Sequence, residues 1–82
     1  MKKRHRRVYT KILGVRVGDL VRVNGEELTT WEDSPVFVEG VRDELGEVRS
    51  ALLINYEPFY IVYLFDRRIE VLVSERQIEL EE

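Results

Sequence analysis

Few residues in this sequence carry side chains suited to covalent chemistry. The 82-residue chain contains no cysteine, and its single histidine, His5, lies in a strongly charged segment. Three carboxylate pairs, Glu26-Glu27, Glu32-Asp33 and Asp43-Glu44, fall in segments that are typical of turns and loops. A general acid needs a desolvated pocket to raise its pKa, and exposed turns do not provide one. We therefore expect no enzymatic activity, no metal and no cofactor.

The most distinctive segment is an apolar run that ends in an aromatic strip. Every residue from Phe59 to Phe65 is apolar, as is every residue from Ala51 to Ile54. A strand that is covered on one face alternates between apolar and polar residues, so both faces of these strands need cover. Alternate side chains would point in opposite directions, with Tyr60, Val62 and Leu64 in one set. Either the chain's own loop or N-terminal segment covers the outward set, or that set docks a partner or a second copy.

Trp31 is the only tryptophan, and it lies in a polar segment, residues 26–35, that is expected to form a loop. Tryptophan is enriched at the hot spots of protein interfaces, which makes Trp31 a candidate anchor. A loop tryptophan can equally fold back as a lid on a thin core. The candidate protein-interaction residues, taken from this loop and from the aromatic strip, are Trp31, Tyr60, Val62, Tyr63 and Leu64.

Charge is distributed unevenly along the chain. Residues 1–11 carry six lysines and arginines and no acid, whereas residues 12–82 carry seven against sixteen aspartates and glutamates. An acidic body repels phosphate backbones, so nucleic-acid binding would depend on the basic arm and on arginines at a hairpin tip. The plainer alternatives are a solubilising tail and a charged turn. The candidate nucleic-acid residues are Lys2, Lys3, Arg4, Arg6, Arg7, Arg67 and Arg68.

Short runs of β-branched and aromatic residues alternate with glycine and proline along the chain. Valine alone occurs twelve times, and no window sustains the apolar period of a helix. This pattern predicts an all-β domain of five to six short antiparallel strands. The expected strand segments are 8–13, 20–23, 36–41, 48–55, 59–65 and 69–73, with a 3₁₀ turn at 74–77 and a last strand at 78–80. The expected turns and loops include Asn24-Gly25, Asp43–Gly46, 56–58 and Asp66–Arg68.

Two segments resemble the SH3-like small barrels, the group that includes Tudor and KOW modules. Residues 15–23, VRVGDLVRV, are similar to the Gly-Asp turn that commonly opens the first long strand of such barrels. Residues 60–80 look like their closing hairpin, followed by a short 3₁₀ turn and a final strand. The resemblance implies a small SH3-like β-barrel. No set of aromatic residues matches the spacing of the methyl-lysine cage found in some Tudor domains.

Together these features predict a single β-barrel domain at residues 8–82, preceded by a basic flexible arm at residues 1–7. No segment approaches the roughly 20 apolar residues that span a bilayer, so we expect a cytoplasmic protein without membrane contact. The expected function is a non-enzymatic protein-interaction or regulatory module that binds a protein partner or itself. The alternative is a nucleic-acid-associated module that uses the basic arm.

Overall fold

Strands occupy most of the chain. The computed structural model describes residues 6–81, and Arg6 through its backbone only. The strands are β1 (Arg6–Tyr9), β2 (Lys11–Ile12), β3 (Val15–Arg16), β4 (Leu20–Thr30), β5 (Phe37–Ile54), β6 (Glu57–Leu64), β7 (Ile69–Ser74) and β8 (Ile78–Leu80). A 3₁₀ helix at Glu75–Gln77 separates β7 from β8, and the Ser74 N–H donates to the Gln77 side-chain oxygen at 2.9 Å. The all-β prediction and the predicted 3₁₀ turn are therefore confirmed.

The predicted turn at Asn24-Gly25 is wrong, because β4 continues through these residues opposite a β-bulge in β5. Val23 pairs with Glu44 and Gly25 pairs with Val41, so Asn24 faces two residues of β5. The Asn24 side-chain oxygen accepts a hydrogen bond from the Asp43 N–H at 2.8 Å. This bond satisfies a backbone N–H that lies at the irregular part of the β4–β5 ladder. Strand β4 consequently continues to Thr30, and the predicted loop at 26–35 shortens to residues 31–36.

The predicted turn at Asp43–Gly46 is also wrong, because β5 passes through it as one strand of 18 residues. The first part of β5 pairs with β4 and the last part pairs with β6. Gly46 belongs to both ladders, since it pairs with Val21 on one side and with Leu64 on the other. Strand β5 therefore changes its pairing partner from β4 to β6 at Gly46 without reversing direction.

Both tight hairpin turns of the C-terminal half use left-handed backbone. Asn55 and Tyr56 join β5 to β6 with φ values of 52° and 70°, so the loop is shorter than the predicted 56–58 segment and β6 begins at Glu57. Residues 65–68 join β6 to β7 at the predicted Asp66–Arg68 turn. There the Arg68 N–H donates to the Leu64 carbonyl at 2.8 Å, and Arg68 has a φ of 57°.

The four long strands pair in a closed circuit. β4 pairs with β5, β5 with β6, β6 with β7, and β7 returns to β4 through the pairs Thr29–Leu72 and Thr30–Val71. β1 extends the sheet beside β5, β8 lies beside the start of β4, and β2 with β3 forms a separate small hairpin. Residues that pair directly across adjacent strands point to the same face of the sheet. The order of the strands therefore decides which side chains share a face.

The main core lies inside the circuit and is built mostly of valine. Tyr60, Val62 and Leu64 are fully buried there, together with Val71 and Val73 of the neighbouring strand. The prediction that Tyr60, Val62 and Leu64 belong to a protein-interaction surface is therefore corrected. These side chains point inward, so a partner could reach them only by unfolding the domain.

Tyr60 also ties the core to the N-terminal hairpin, because its hydroxyl donates to the Ile12 carbonyl at 2.8 Å. Burial raises the pKa of Tyr60, and the negative charge of Glu75 raises it further. A raised folded-state pKa means that the buried phenol stabilises the fold below the unfolded pKa, about 10, and that this contribution is lost as the pH rises through the folded value.

We therefore expect the free energy of unfolding to fall at strongly alkaline pH, with part of that fall due to Tyr60. Tyr60→Phe should cost about 1 kcal/mol at neutral pH through the lost hydrogen bond, and should lose stability less steeply above the unfolded tyrosine pKa. Urea denaturation of both proteins at neutral and alkaline pH checks this. Parallel pH profiles would show that Tyr60 ionisation does not limit alkaline stability.

Candidate protein-interaction site

The outer face of the β6–β7 hairpin carries a second apolar surface, separate from the main core. Phe59, Ile61 and Tyr63 alternate with the core residues of β6, so they point outward. Their direct partners lie on the same face: Leu52 and Ser74 flank Phe59, Ser50 and Leu72 flank Ile61, and Glu47 and Glu70 flank Tyr63. Leu52 and Ile61 are buried although they lie outside the main core cluster. The aromatic strip thus has two apolar faces, as its uninterrupted sequence predicts.

Trp31 is positioned at one end of this face by Thr30. The Thr30 hydroxyl accepts a hydrogen bond from the Val36 N–H at 3.0 Å and donates to the Glu32 carboxylate at 3.1 Å. The backbone N–H of Thr30 also donates to the Val36 carbonyl, which closes the 31–36 loop at its base. The Trp31 N–H donates to the Glu70 carbonyl at 2.9 Å and so ties the start of the loop to β7. The half-buried Trp31 is therefore held beside the outer face of β7.

Tyr63 is positioned by contacts on two sides. The Arg49 guanidinium lies over the Tyr63 ring, 4.8 Å from its centroid, and makes an ion pair of 3.3 Å with Glu47. Arg49 occupies a bulge in β5, between the paired residues Val48 and Ser50. Phe65 packs edge-on against Tyr63 with a centroid distance of 5.8 Å. A cation over the face and an aromatic edge are both favourable arrangements for a tyrosine ring, so Tyr63 is held in place while half-exposed.

Trp31 and Tyr63 line the same cleft, which has a volume of about 300 Å³. We call it the Trp31 cleft. It combines the two aromatic rings with Ile69 and with side chains of both charges. Its lining residues are Thr30, Trp31, Glu32, Arg49, Tyr63, Arg68, Ile69 and Glu70. A surface of this composition suits recognition of a partner's side chains, because tryptophan, tyrosine and arginine are the residue types most enriched at interface hot spots.

Apart from Arg67, the described site residues that the sequence predicts separate into three groups in the structure. Trp31 and Tyr63 meet in the cleft, and Arg68, predicted for nucleic acid, joins them there. Tyr60, Val62 and Leu64 lie in the core. Arg6 and Arg7 form the start of β1, inside the range predicted as a flexible arm, and pair with Ile54 and Leu53. The prediction for Lys2, Lys3 and Arg4 lies outside the described residues.

Arg67 has a structural contact that the sequence did not indicate. Its guanidinium donates to both carboxylate oxygens of Glu44, at distances of 2.8–3.0 Å. This hydrogen bond raises the pKa of Arg67. Its neighbour Arg68 makes no side-chain hydrogen bond or ion pair with any residue in the described range 6–81. The two arginines of the hairpin tip therefore differ in role.

The difference predicts unequal effects of two adjacent substitutions. Arg67→Ala should lower the free energy of unfolding by about 0.5–1 kcal/mol, because it removes a bidentate but solvent-screened ion pair. Arg68→Ala should change it by less than about 0.5 kcal/mol, since it removes no side-chain hydrogen bond or ion pair with residues 6–81. Chemical denaturation of both variants checks this, with each serving as the control for the other. Equal losses would show that the Glu44 contact does not stabilise the fold.

Sequence reasoning missed the outward orientation of Tyr63 relative to its neighbours, although β7 carries a signal for it. Glu70 and Ser74 are the polar positions of β7, and they mark its outer face. Glu70 pairs with Tyr63 and Ser74 pairs with Phe59, so Tyr63 and Phe59 must lie on the outer face of β6 as well. The contact of Arg49 with Tyr63 had no such signal, because it depends on the bulge that Arg49 itself forms in β5.

Within residues 6–81 no helix is long and apolar enough to cross a membrane. Comparisons with protein-family models, curated proteins and solved structures find no match to this chain.

Proposed function

We propose that this chain is a non-enzymatic protein-interaction or regulatory module that docks through the Trp31 cleft and the adjoining outer face of β6 and β7. The observation that carries the proposal is the meeting of Trp31 and Tyr63 in one cleft. Both residues are half-buried, the Trp31 backbone is tied to β7 and the Tyr63 ring lies under Arg49, so little freedom of these parts would be lost on binding.

The surroundings of the cleft support docking of a protein rather than a small substrate. On the same face, the cross-strand row continues from the half-buried Leu72 through Thr29 to Phe37. The Phe37 side chain is 68% exposed, and the Phe65 side chain beside Tyr63 is 38% exposed. Exposed aromatic side chains next to a mixed-charge cleft form the apolar centre and polar rim that protein interfaces share.

We further propose that the fold is an SH3-like barrel and that the protein works in the cytoplasm. The closed circuit of β4, β5, β6 and β7 and the 3₁₀ turn before the last strand support the first proposal. The absence of cysteine from the sequence is compatible with the second.

Affinity capture from an extract of the source organism tests the proposed function. The bait proteins are the wild type, Tyr63→Gln, and the control Glu26→Gln, whose exposed side chain lies at a separate groove beside Val41 and Arg42. The wild type and the control should retain the same protein, with or without nuclease, and Tyr63→Gln should lose it. Equal retention by all three baits would contradict docking through the cleft. Loss of the retained protein on nuclease treatment would favour nucleic-acid association instead.

A further inference from the structure

Two charged side chains of the Trp31 cleft, one of each sign, make neither an ion pair nor a hydrogen bond with residues 6–81. The charged groups of Arg68 and Glu70 make no ion pair with any residue from 6 to 81, although both line the cleft. Arg49 pairs with Glu47, and the Glu32 carboxylate, which also lacks an ion pair, accepts a hydrogen bond from the Thr30 hydroxyl. A matching surface must therefore present a carboxylate to Arg68 and a cation to Glu70.

From this arrangement we infer that the occupant of the cleft is a second copy of the same chain, related to the first by a two-fold axis. In such an interface, if residue i contacts residue j of the other copy, then j also contacts i. Arg68 of each copy would pair with Glu70 of the other, which satisfies both charges at once. The inference rests on the proposed function, because it names the partner of that same cleft.

The shape of the surface also suits self-association. The 65–68 turn, which carries Phe65 and Arg68, lies directly beside the cleft, because Phe65 packs on Tyr63 and Arg68 lines the cleft. A turn that lies beside a cleft on the same face would let each copy place its turn against the cleft of the other. A specific interface buries about 800 Å² per partner, more than such a cleft offers. The contact must therefore extend along the outer face to Phe37, which is exposed.

Partners with one sign of charge fit the cleft less well. A phosphate backbone or an acidic peptide would face the carboxylates of Glu32 and Glu70, and a basic peptide would face Arg49 and Arg68. Residues 12–82 carry seven arginines against sixteen acidic residues, so two copies repel each other at long range and the contacts of the interface must outweigh that repulsion.

Sedimentation velocity of the full chain over a range of concentrations tests the inference. The wild type should dimerise, and R68E and E70R should each raise the dissociation constant at least about tenfold, since like charges then meet across the axis (about 1.4 kcal/mol). The double variant R68E/E70R restores opposite charges in reversed positions, so it should dimerise again. Thermal melting of each variant establishes that the fold is retained.

A wild type that stays monomeric, or a double variant that stays dissociated while folded, overturns the inference. The proposed function then stands or falls separately on affinity capture. A monomer that captures a different protein through Tyr63 keeps the docking role and changes the partner. A dimer that is insensitive to both R68E and E70R places self-association on another surface.

Discussion

Gly46→Ala should lower the free energy of unfolding by about 3 kcal/mol, a large part of the roughly 5–15 kcal/mol that stabilises a domain. A methyl group at this position would lie 2.6 Å from Val62 Cγ1 and 2.7 Å from the Tyr63 carbonyl oxygen. The carbonyl belongs to the neighbouring strand, and Val62 is fully buried in the core. Neither atom can move away without disturbing the ladder that Gly46 shares with β4 and β6. We therefore expect the change to separate these strands.

The matched control is Gly14→Ala in the turn between β2 and β3. Gly14 has a φ of 82°, and a Cβ there would meet no atom within 4 Å. This variant should lose about 1 kcal/mol from backbone conformation alone. Urea denaturation of the two variants separates steric crowding from backbone strain. Equal losses would mean that β5 can shift at Gly46 and that Gly46 is not closely packed against Val62 and Tyr63.

The second large effect is the contrast between two tyrosines three positions apart in β6. Tyr60→Gln should lower the free energy of unfolding by about 3–5 kcal/mol, because it removes a fully buried ring and the hydrogen bond to Ile12. Tyr63→Gln should cost only about 1–2 kcal/mol, through the contacts with Arg49 and Phe65. Glutamine adds no charge beside Glu47 and Glu70, so charge repulsion does not enter the comparison.

Thermal melting and sedimentation of both variants complete this test. Tyr60→Gln should be unfolded or strongly destabilised at ambient temperature, whereas Tyr63→Gln should stay folded and lose association. If the two variants melt at the same temperature and the wild type binds nothing, the outer face is merely a second part of the core.

The sequence predicts best those parts of the fold that are set by neighbouring residues. The hairpin of β6 and β7, the turn at Asp66–Arg68 and the 3₁₀ helix after Ser74 all follow from local composition. Asn24-Gly25 and Asp43–Gly46 carry the same kinds of residue but continue as strands. A short polar side chain can serve a bulge as well as a turn, and only the register with the opposite strand decides between them.

The site is less predictable than the fold, because its parts are brought together by distant pairings. Trp31 and Tyr63 line one cleft only because the end of β4 pairs with β7, a pairing between residues about forty positions apart in sequence. In β6 the apolar residues run without interruption, so composition alone cannot tell which set points inward. That ambiguity placed Tyr60, Val62 and Leu64 in a docking surface instead of the core.

Photo-crosslinking from within the cleft tests the central claim most directly. The photoreactive residue p-benzoylphenylalanine replaces Tyr63 in one protein and Glu26 in a control, and each is irradiated both as purified protein and in an extract of the source organism. We predict protein adducts from position 63 and none from position 26, and an adduct of twice the chain mass would identify the second copy. Equal adduct yields from the two positions, or no adduct from position 63, would contradict docking through the Trp31 cleft.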